Sequence, residues 1–294
     1  MTTNPTLSVV IPTLNAGGEI GQLLSSLEQQ TVKPNEILVV DSSSDDETCI
    51  EVQAHPDAEL CVIERSSFNH GSTRDMALRR TSGEIVCFLT QDAIPDGPHY
   101  LENLIKPMLQ DSLVALSSGR QLPKADARRF EQLVREFNYP SVSSVRSSDD
   151  LQTLGIKTFF CSDVCSAYKR DAYLLCGGFQ QVDTNEDMLM AARFIEKGFK
   201  VAYESTACVY HSHNLTPRQQ FNRNKAVGYF LEQHSGDLMG VSEIGEGGKL
   251  VKRVSTTLIH EGRIGELFAF GVDCAARLIG NRVGRSEARR EISA

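Results

Sequence analysis

The sequence predicts an α/β protein in which a mostly parallel sheet carries helices on both faces and is followed by a C-terminal helical extension. Short apolar runs alternate with amphipathic helical stretches through the first 120 residues, and the chain is mainly helical beyond Thr216. Strands separated by helices of this length are typical of a parallel sheet that is covered on both sides. A chain of 294 residues is long enough to form one large domain or two small ones.

The first half contains the strands and helices of this sheet in regular order. Strands are expected, in chain order, at LSVVIPT, EILVVDSSS, ELCVIE, EIVCFLT and SLVALSSG. Helices are expected between them at EIGQLLSSLEQQ, DDETCIEVQAH, STRDMALRRT and PHYLENLIKPML. In the first helix, Ile20, Leu23 and Leu27 recur at the spacing of one helical face, which predicts packing against the sheet.

The second half is less regular. It contains a helix at ADARRFEQLVREF, a helix at EDMLMAARFIEKG that ends at Gly198, and strands at KVAYES and ACVYHSH. The segment NYPSVSSVRSSDD is rich in Ser and Asp, which predicts a loop. From Thr216 onward we expect helices that are interrupted by a glycine-rich break at residues 245–248.

Charge and hydropathy limit the classes of partner. The net charge of −8 argues against general binding to nucleic acids. Residues 251–294 hold eight Lys and Arg against five Asp and Glu, a balance of +3 that leaves −11 on residues 1–250, so the tail is expected to have a different partner from the body. No apolar run approaches the roughly 20 residues that span a bilayer. The start, MTTNPTLSVV, lacks the basic region of a signal peptide, and we therefore expect a cytoplasmic protein.

Polar residues follow three of the predicted strands. They are Pro12, Thr13 and Asn15 after the first, Asp41 and Ser42 to Ser44 after the second, and Gln91 and Asp92 after the fourth. Because ligands of open α/β sheets bind outside the carboxyl ends of the strands, these residues predict a ligand site at one edge. Asp41 can accept a hydrogen bond from a base N–H or a ribose hydroxyl, or it can simply cap the next helix. The patterns of dinucleotide-binding and P-loop proteins are both missing.

Three stretches together resemble the inverting glycosyltransferases of family 2, which have the GT-A fold. They are SVVIPTLNAGGEIGQLLSSLEQQTVKPNEILVVDSSSDDET, FNHGSTRDMALRRTSGEIVCFLTQDAIP and GGFQQVDTNEDMLMAARFIEKGFKVAYESTACVYHSHN, and they cover roughly residues 7–214. The variants FNHG…R and LTQDA are similar to those of bacterial rhamnosyltransferases, which use dTDP-L-rhamnose to build surface polysaccharides such as O-antigen. The resemblance implies a glycosyltransferase domain at 1–215, with a nucleotide-sugar half at 1–120 and an acceptor half at 121–215, and a helical region at 216–294.

The resemblance implies that the polar strand ends bind the nucleotide-sugar. Asp41 would accept a hydrogen bond from N3–H of thymine or uracil. Arg74 would approach the diphosphate, because the fork of guanidinium donors matches phosphate oxygens, although it can also be a solvated helix charge. The other expected nucleotide-sugar contacts are Pro12, Thr13, Asn15, Ser43, Gly71, Gln91 and Asp92.

Asp92 stands where the family has the last acidic residue of its Asp-x-Asp metal motif. Here the motif is Thr90-Gln91-Asp92, so the first carboxylate is missing. Mg²⁺ or Mn²⁺ on a nucleotide-sugar needs few protein ligands, because diphosphate oxygens and water complete the octahedron. His211 and His213, two residues apart on an expected strand, would face the same side. We favour His211 as the second ligand, with Mn²⁺ suiting it better than Mg²⁺; the alternative is that both histidines are ordinary surface or core residues.

The segment NEDM provides the expected general base. Inversion at the anomeric carbon needs a carboxylate opposite the leaving diphosphate that accepts the proton of the acceptor hydroxyl. Glu186 and Asp187 begin a helix, and adjacent helical residues point about 100° apart, so only one of them reaches the reacting centre. The family pattern selects Asp187 as the base and leaves Glu186 to bind acceptor or to orient the helix start. The alternative is that both carboxylates only cap the helix.

The C-terminal tail carries an apolar helical face that is followed by arginines. The apolar residues are Ile264, Leu267, Phe268, Ala275 and Leu278, and the arginines are Arg277, Arg282, Arg285, Arg289 and Arg290. A basic amphipathic helix can lie on an anionic membrane surface, which would suit a lipid-linked saccharide acceptor. Packing against the catalytic domain or within a homo-oligomer is the alternative.

Two other functions are open. The same fold can use a UDP-hexose or UDP-galactofuranose donor, and the missing first carboxylate is compatible with a non-catalytic glycan- or nucleotide-binding module. A signalling domain with a strand-end aspartate would leave the NEDM and YHSHN segments unexplained. The sequence therefore predicts an inverting, metal-dependent glycosyltransferase that uses dTDP-L-rhamnose.

Overall fold

The computed structural model describes residues 5–241 and 246–293 of the chain. All strands predicted in the first half are present. The strands are β1 (Leu7–Thr13), β2 (Glu36–Asp41), β3 (Ala58–Val62), β4 (Ile85–Leu89), β5 (Ile94–Pro95), β6 (Val114–Leu122), β7 (Ser144–Arg146), β8 (Cys165–Lys169) and β9 (Lys200–Tyr210).

The helices follow the predicted order closely. They are α1 (Ile20–Glu28), α2 (Thr48–Gln53), α3 (His70–Arg80), α4 (Tyr100–Gln110), α5 (Arg129–Asn138), α6 (Leu151–Leu154), α7 (Arg170–Leu175), α8 (Glu186–Glu196), α9 (Pro217–Gln233), α10 (Glu246–His260) and α11 (Ile264–Ile292). Of the glycine-rich break predicted at 245–248, residue 245 lies outside the described residues and residues 246–248 begin α10. Among the helices of 5–241 and 246–293, none has the length and apolar content that a membrane crossing requires.

The strands form one sheet in the order β3-β2-β1-β4-β8-β6-β9-β5, and β7 pairs with β9. The strands β3, β2, β1 and β4 are parallel neighbours, whereas β8 runs antiparallel to both β4 and β6. In this register Thr13 lies opposite Asp41, so the carboxyl ends of β1 and β2 meet at one edge of the sheet. The predicted α/β class is confirmed.

Apolar side chains cover both faces of the parallel strands. Leu7 and Val9 of β1 share a buried core with Leu23 and Leu27 of α1, as the helical spacing predicts. Val10 points to the opposite face by strand alternation and is also fully buried, and α3 contacts β1. Full burial of an aliphatic side chain contributes about 1.5–3 kcal/mol, so this core fixes the strand ends that carry the polar residues.

Two segments differ from the sequence prediction. Part of the loop expected at NYPSVSSVRSSDD forms β7, which pairs antiparallel with β9. The two strands expected at KVAYES and ACVYHSH are a single strand, β9, that ends at Tyr210. Tyr210 pairs with Ile94, the first residue of β5, and the preceding Ala93 closes a turn by donating its N–H to Thr90 O at 3.0 Å. Since β9 ends at Tyr210, His211 and His213 do not lie on a strand.

The chain divides into two compact units. The first comprises Met1–Gln121, Pro140–Asp150 and Thr158–His211, and the second comprises Leu122–Tyr139, Leu151–Lys157 and Ser212–Ala294. The second unit thus combines α5 and α6 with the C-terminal helices, around a core of Phe130, Leu133, Val134, Val254, Leu258 and Phe270. The domain boundary expected between residues 215 and 216 stays a prediction.

Within the second unit, α9 and α11 pack backbone against backbone. A Cβ added at Gly284 would overlap the carbonyl oxygen of Lys225, and one added at Gly228 would overlap that of Asn281. These carbonyls belong to helix backbones, which cannot move aside as the end of a long side chain can. Glycine is therefore required at the crossing, whereas Gly271, on the same helix α11, has open space around its Cβ position.

We expect opposite effects from alanine at two glycines of α11. Gly284→Ala should destabilise the protein by about 1–3 kcal/mol or more, because the added methyl forces the two helices apart. Gly271→Ala should stabilise it by roughly 0.5–1 kcal/mol through helix propensity. Chemical denaturation of both variants beside the wild type measures these changes. Equal effects of the two substitutions would contradict the close packing of α9 on α11.

Candidate functional site

Asp41 orders the turn that follows β2. Its side chain is fully buried, and Oδ1 accepts hydrogen bonds from Thr13 Oγ1 at 3.2 Å and Ser44 Oγ at 2.5 Å. Oδ2 accepts the backbone N–H of Ser44 at 2.8 Å. A buried carboxylate is stable when donors satisfy its oxygens, so Asp41 caps this turn and links it to the end of β1. Its contact with a nucleotide base stays a prediction.

Asn15 and Ser43 hold the neighbouring loops in left-handed backbone conformations. Asn15 has φ 51° and Ser43 has φ 56°. The Asn15 N–H donates to Ser44 Oγ at 2.8 Å, while Asn15 Oδ1 accepts the N–H of Asp45 at 2.9 Å. Ser43 Oγ donates to the carbonyl of Ile63 at 2.8 Å. These bonds offset the backbone strain and fix two loops at the sheet edge where the sequence predicts a ligand.

Gln91 joins the end of β4 to the end of β1. Its Oε1 accepts the N–H of Leu14 at 2.8 Å, and its Nε2 donates to the carbonyl of the same residue at 3.1 Å. The adjacent Asp92 is 9% exposed, and its Oδ2 lies 3.4 Å from His211 Nε2. The structure therefore brings Asp92 and His211 together, as expected, and their roles toward a metal and a donor stay predictions.

Gln121 orients the ring of His211. The His211 Nδ1 lies 2.9 Å from Gln121 Oε1, which only accepts, so Nδ1 is the ring nitrogen that carries hydrogen. The other amide atom of Gln121, Nε2, donates to Ser162 Oγ at 3.0 Å. In the neutral ring, Nε2 then presents a lone pair toward the carboxylate of Asp92. Two facing electron-pair donors are the arrangement that a bound cation satisfies.

Arg74 of α3 is buried among carboxylates. The residues Arg74, Asp163 and Glu186 are 4%, 3% and 5% exposed. One guanidinium nitrogen, Nη1, donates to Glu186 Oε1 at 2.8 Å, and Nε lies 3.8 Å from Asp163 Oδ2. Arg74 is therefore not the solvated helix charge of the alternative interpretation. Its expected approach to a diphosphate stays a prediction.

Asp187 lies at the start of α8, half-buried beside these groups. Its Oδ2 accepts the backbone N–H of Asp163 at 3.2 Å. Burial and the nearby carboxylates of Asp163 and Glu186 raise the pKa of Asp187 well above its ordinary value. A carboxylate with raised proton affinity is suited to general-base work. Glu186 and Asp187 therefore do not only cap the helix. Glu186 contacts Arg74, and Asp187 contacts the backbone of Asp163.

Gly71 allows the segment before α8 to approach α3. A Cβ at Gly71 would overlap the carbonyl oxygen of Gln180, and the Gly71 N–H donates to Val182 O at 3.3 Å. His70, next in the chain, has Nδ1 3.0 Å from Arg74 Nη1 and so accepts there. Partial burial and the Arg74 guanidinium lower the pKa of His70 to about 4, which keeps this ring neutral near pH 7. Gly71 thus has a packing role beside its expected nucleotide-sugar contact, which stays a prediction.

Sequence reasoning missed Asp163 and Gln121. Asp163 belongs to the polar triplet Cys161-Ser162-Asp163 before β8, and Gln121 stands near the end of β6. A polar residue at a strand end was the only signal available for either, and it does not identify a partner.

His213 is exposed and lies in the second unit, two residues after His211.

The comparison with protein families identifies the chain. Residues 8–175, more than half of its length, match the model of Glycosyl transferase family 2. The chain belongs to this family. It is therefore a glycosyltransferase, and the matched residues include the polar ends of β1, β2 and β4, together with Arg74 and Asp163.

Two curated relatives of this glycosyltransferase are O-antigen chain rhamnosyltransferases. RfbN of Salmonella typhimurium is 41% identical over 226 residues, which are 76% of this chain and 72% of that protein. WbaN of Salmonella anatum is 40% identical over 229 residues, or 77% of this chain and 72% of its own length. The predicted likeness to rhamnosyltransferases is confirmed.

A solved structure supports the predicted fold. The mannosyltransferase PcManGT from Pyrobaculum calidifontis, in complex with GDP-Man and Mn²⁺, superimposes with a TM-score of 0.64 and 18% identity. The match covers 98% of this chain and 88% of the mannosyltransferase chain. The predicted GT-A fold with a C-terminal helical extension is confirmed.

Proposed function

We propose that this glycosyltransferase transfers L-rhamnose from dTDP-β-L-rhamnose to a growing bacterial O-antigen or a related lipid-linked saccharide. The identity of 41% and 40% to two O-antigen chain rhamnosyltransferases, over about three quarters of the chain, carries the proposal. A dTDP donor places the enzyme in the cytoplasm. The alternative donor is a UDP-hexose, and titration with UDP beside dTDP distinguishes the two.

The donor nucleotide is proposed to bind across the ends of β1, β2 and β4. In this arrangement Asp41 accepts N3–H of thymine, and Pro12, Thr13 and Asn15 line the pocket. The hydrogen bonds that already fix these loops support the proposal, because a preorganised site loses less conformational freedom when ligand binds. Ser43 and Gln91 would support the same site from its two sides.

The pair Asp92 and His211 is proposed to hold Mg²⁺ or Mn²⁺ on the donor diphosphate. Two ligands about 2.1 Å from an octahedral ion stand about 3 Å apart in adjacent positions, and the 3.4 Å between the carboxylate oxygen and the ring nitrogen is close to this. When bound, the ion would stabilise the negative charge that develops on the leaving diphosphate. The Mn²⁺ of the mannosyltransferase complex supports this assignment. His213 is the proposed additional or alternative ligand.

Asp187 is proposed as the general base. Its carboxylate takes the proton of the acceptor hydroxyl as that oxygen bonds to the anomeric carbon, while the bond from this carbon to the diphosphate oxygen breaks. The configuration at the anomeric carbon is thereby inverted, and dTDP leaves with the electron pair. Glu186 is proposed to orient the start of α8 through Arg74, which leaves Asp187 directed toward the acceptor.

The outer face of α11 is proposed to lie on the anionic inner surface of the cell membrane. Ile264, Phe268 and Ile279 are 63%, 76% and 54% exposed, and their spacing places them along one face of the helix. Leu267, expected on this face, instead packs against the core of the second unit. The exposed Arg282 continues the face toward the C-terminal end, so apolar and cationic groups are arranged as at a lipid surface.

We expect dTDP with Mn²⁺ to raise the melting temperature more than either alone, because binding to the folded state stabilises it. Asp92→Ala and His211→Ala should abolish the metal-dependent part of dTDP binding, whereas Asp41→Ala should weaken binding with or without Mn²⁺. His213→Ala provides the comparison for His211→Ala. Titration calorimetry with dTDP, UDP and GDP measures these effects. Equal stabilisation by GDP, or unchanged metal dependence in His211→Ala, would contradict the assignment.

We expect Asp187→Asn to bind dTDP-rhamnose normally but to lose turnover by on the order of 100-fold or more, because the carboxamide cannot accept the proton. Turnover of the wild type should fall as pH decreases through the raised pKa of Asp187, since the protonated carboxyl is no base. Release of dTDP with a panel of mono- and disaccharide glycosides as acceptors measures both. Glu186→Gln should reduce turnover less. Near-normal turnover of Asp187→Asn would remove this residue from the mechanism.

We expect the protein to co-sediment with vesicles that contain phosphatidylglycerol, and Phe268→Glu to reduce binding by roughly tenfold or more, given the transfer free energy of a phenylalanine side chain. Val142→Glu, at a side chain that is 73% exposed in the first unit, is the matched control. Higher salt should weaken binding. A concentration-dependent dimer that Phe268→Glu dissociates, without vesicle binding, would instead identify a second copy of the chain as the partner.

A further inference from the structure

The buried carboxyl group of Asp163 is neither the proposed base nor a proposed ligand of donor or metal. Its Oδ1 accepts hydrogen bonds from Ser166 Oγ at 2.6 Å and from Tyr168 Oη at 2.7 Å. Both donors lie on β8, in the centre of the sheet, and Tyr168 is fully buried. The carboxyl group is therefore held in one orientation by rigid neighbours.

The other oxygen of Asp163 faces Arg74. Oδ2 of Asp163 and Nε of Arg74 are 3.8 Å apart, and each lacks a hydrogen-bond partner within the described part of the chain. The same guanidinium donates from Nη1 to Glu186 at 2.8 Å. Arg74 is thus shared between Asp163 and Glu186, the residue that precedes the proposed base.

The backbone of Asp163 contacts Asp187 directly. Its N–H donates to Asp187 Oδ2 at 3.2 Å, so Asp163 fixes one oxygen of the proposed base. Its own side chain adds a negative charge nearby, and the cation Arg74 is shared between this charge and Glu186. A carboxylate next to other carboxylates binds a proton more tightly, because protonation removes like-charge repulsion.

We propose that Asp163 is a positioning residue, which orients Asp187 through its backbone N–H and holds a buried carboxylate beside it. The inference rests on the proposed role of Asp187. In this proposal Asp163 contacts neither donor nor acceptor. Its effect is on the protonation of the base, and donor binding is left unchanged.

Several titratable groups surround Asp187. They are Asp163 and Cys161 from the segment before β8, Tyr168 from β8 and Glu186 from α8, with Arg74 of α3 behind them. Burial, opposed by Arg74, raises the pKa of Asp163 to about 6, so this carboxyl is charged above that pH. Tyr168 and Cys161 are neutral in the working range, because burial raises the pKa of each well above its ordinary value. Asp163 and Glu186 are therefore the charges that act on Asp187.

The test is the pH dependence of kcat in Asp163→Asn at saturating dTDP-rhamnose and acceptor. Asparagine keeps the backbone N–H and the shape but removes the negative charge, so Asp187 loses its proton at a lower pH than in the wild type. The acidic limb of the kcat profile should therefore move to lower pH, while the KM for the donor is unchanged. Ser117→Ala, at a buried position opposite Ala167 of β8, is the control and should leave the limb in place.

Ser166→Ala extends the test if Asp163→Asn folds poorly. Loss of the Ser166 hydroxyl raises the proton affinity of Asp163, so this carboxyl is neutral over a wider pH range and repels the Asp187 carboxylate less. The acidic limb of the kcat profile should therefore also move to lower pH, by less than in Asp163→Asn. A limb that stays at the wild-type position in both variants, or that moves equally in Ser117→Ala, overturns the inference. A separate result would show that the proposed function itself is wrong: Asp187→Asn would then keep its turnover, independently of the pH profile of Asp163→Asn.

Discussion

The proposed acceptor side of this glycosyltransferase depends on the charge balance around the buried guanidinium of Arg74. Asp163 and Glu186 are nearly excluded from solvent, and burial of unpaired carboxylates would cost several kcal/mol each. Arg74 offsets this cost, and since its partners come from different elements, the balance holds α3, α8 and the segment before β8 in one arrangement. Burial, together with the negative charge of Asp163 and Glu186, raises the pKa of Asp187, the proposed general base.

A chain of polar contacts runs along the sheet edge from the proposed nucleotide site to this cluster. Asp41 contacts the end of β1, Gln91 joins that end to β4, and Asp92 faces His211. From His211 the contacts continue through Gln121 to Ser162, which directly precedes Asp163. The proposed donor, metal and acceptor sites therefore share one hydrogen-bonded rim, in which these side chains are already oriented by their neighbours.

The second unit is organised by a different principle. Its helices α9 and α11 approach until backbone meets backbone, because glycines occupy the contact positions. Close packing on that side turns the opposite face of α11 outward, and this face retains large apolar side chains such as Phe268. An outward apolar face that continues into Arg282 distinguishes this unit from the acidic body of the protein.

The parallel half of the sheet and the polar positions at its edge could be predicted from the sequence alone, because strand alternation, helical periodicity and strand ends are local properties. Asp41, Asp92 and Asp187 could be selected on that basis, with the family pattern. Which side chains contact one another depends on the folded chain: Gln121 with His211 and Arg74 with Glu186 are pairs separated by 90 and 112 residues.

Local pattern also failed where pairing depends on a distant neighbour. The strand β7 forms in a polar segment because it pairs with β9, and the pairing of β9 with β5 ends at Tyr210, opposite Ile94. Asp163 carried no signal in the sequence beyond a polar residue before a strand. Its importance arises from burial beside Arg74 and Asp187, and burial and electrostatic coupling are properties that only the folded chain possesses.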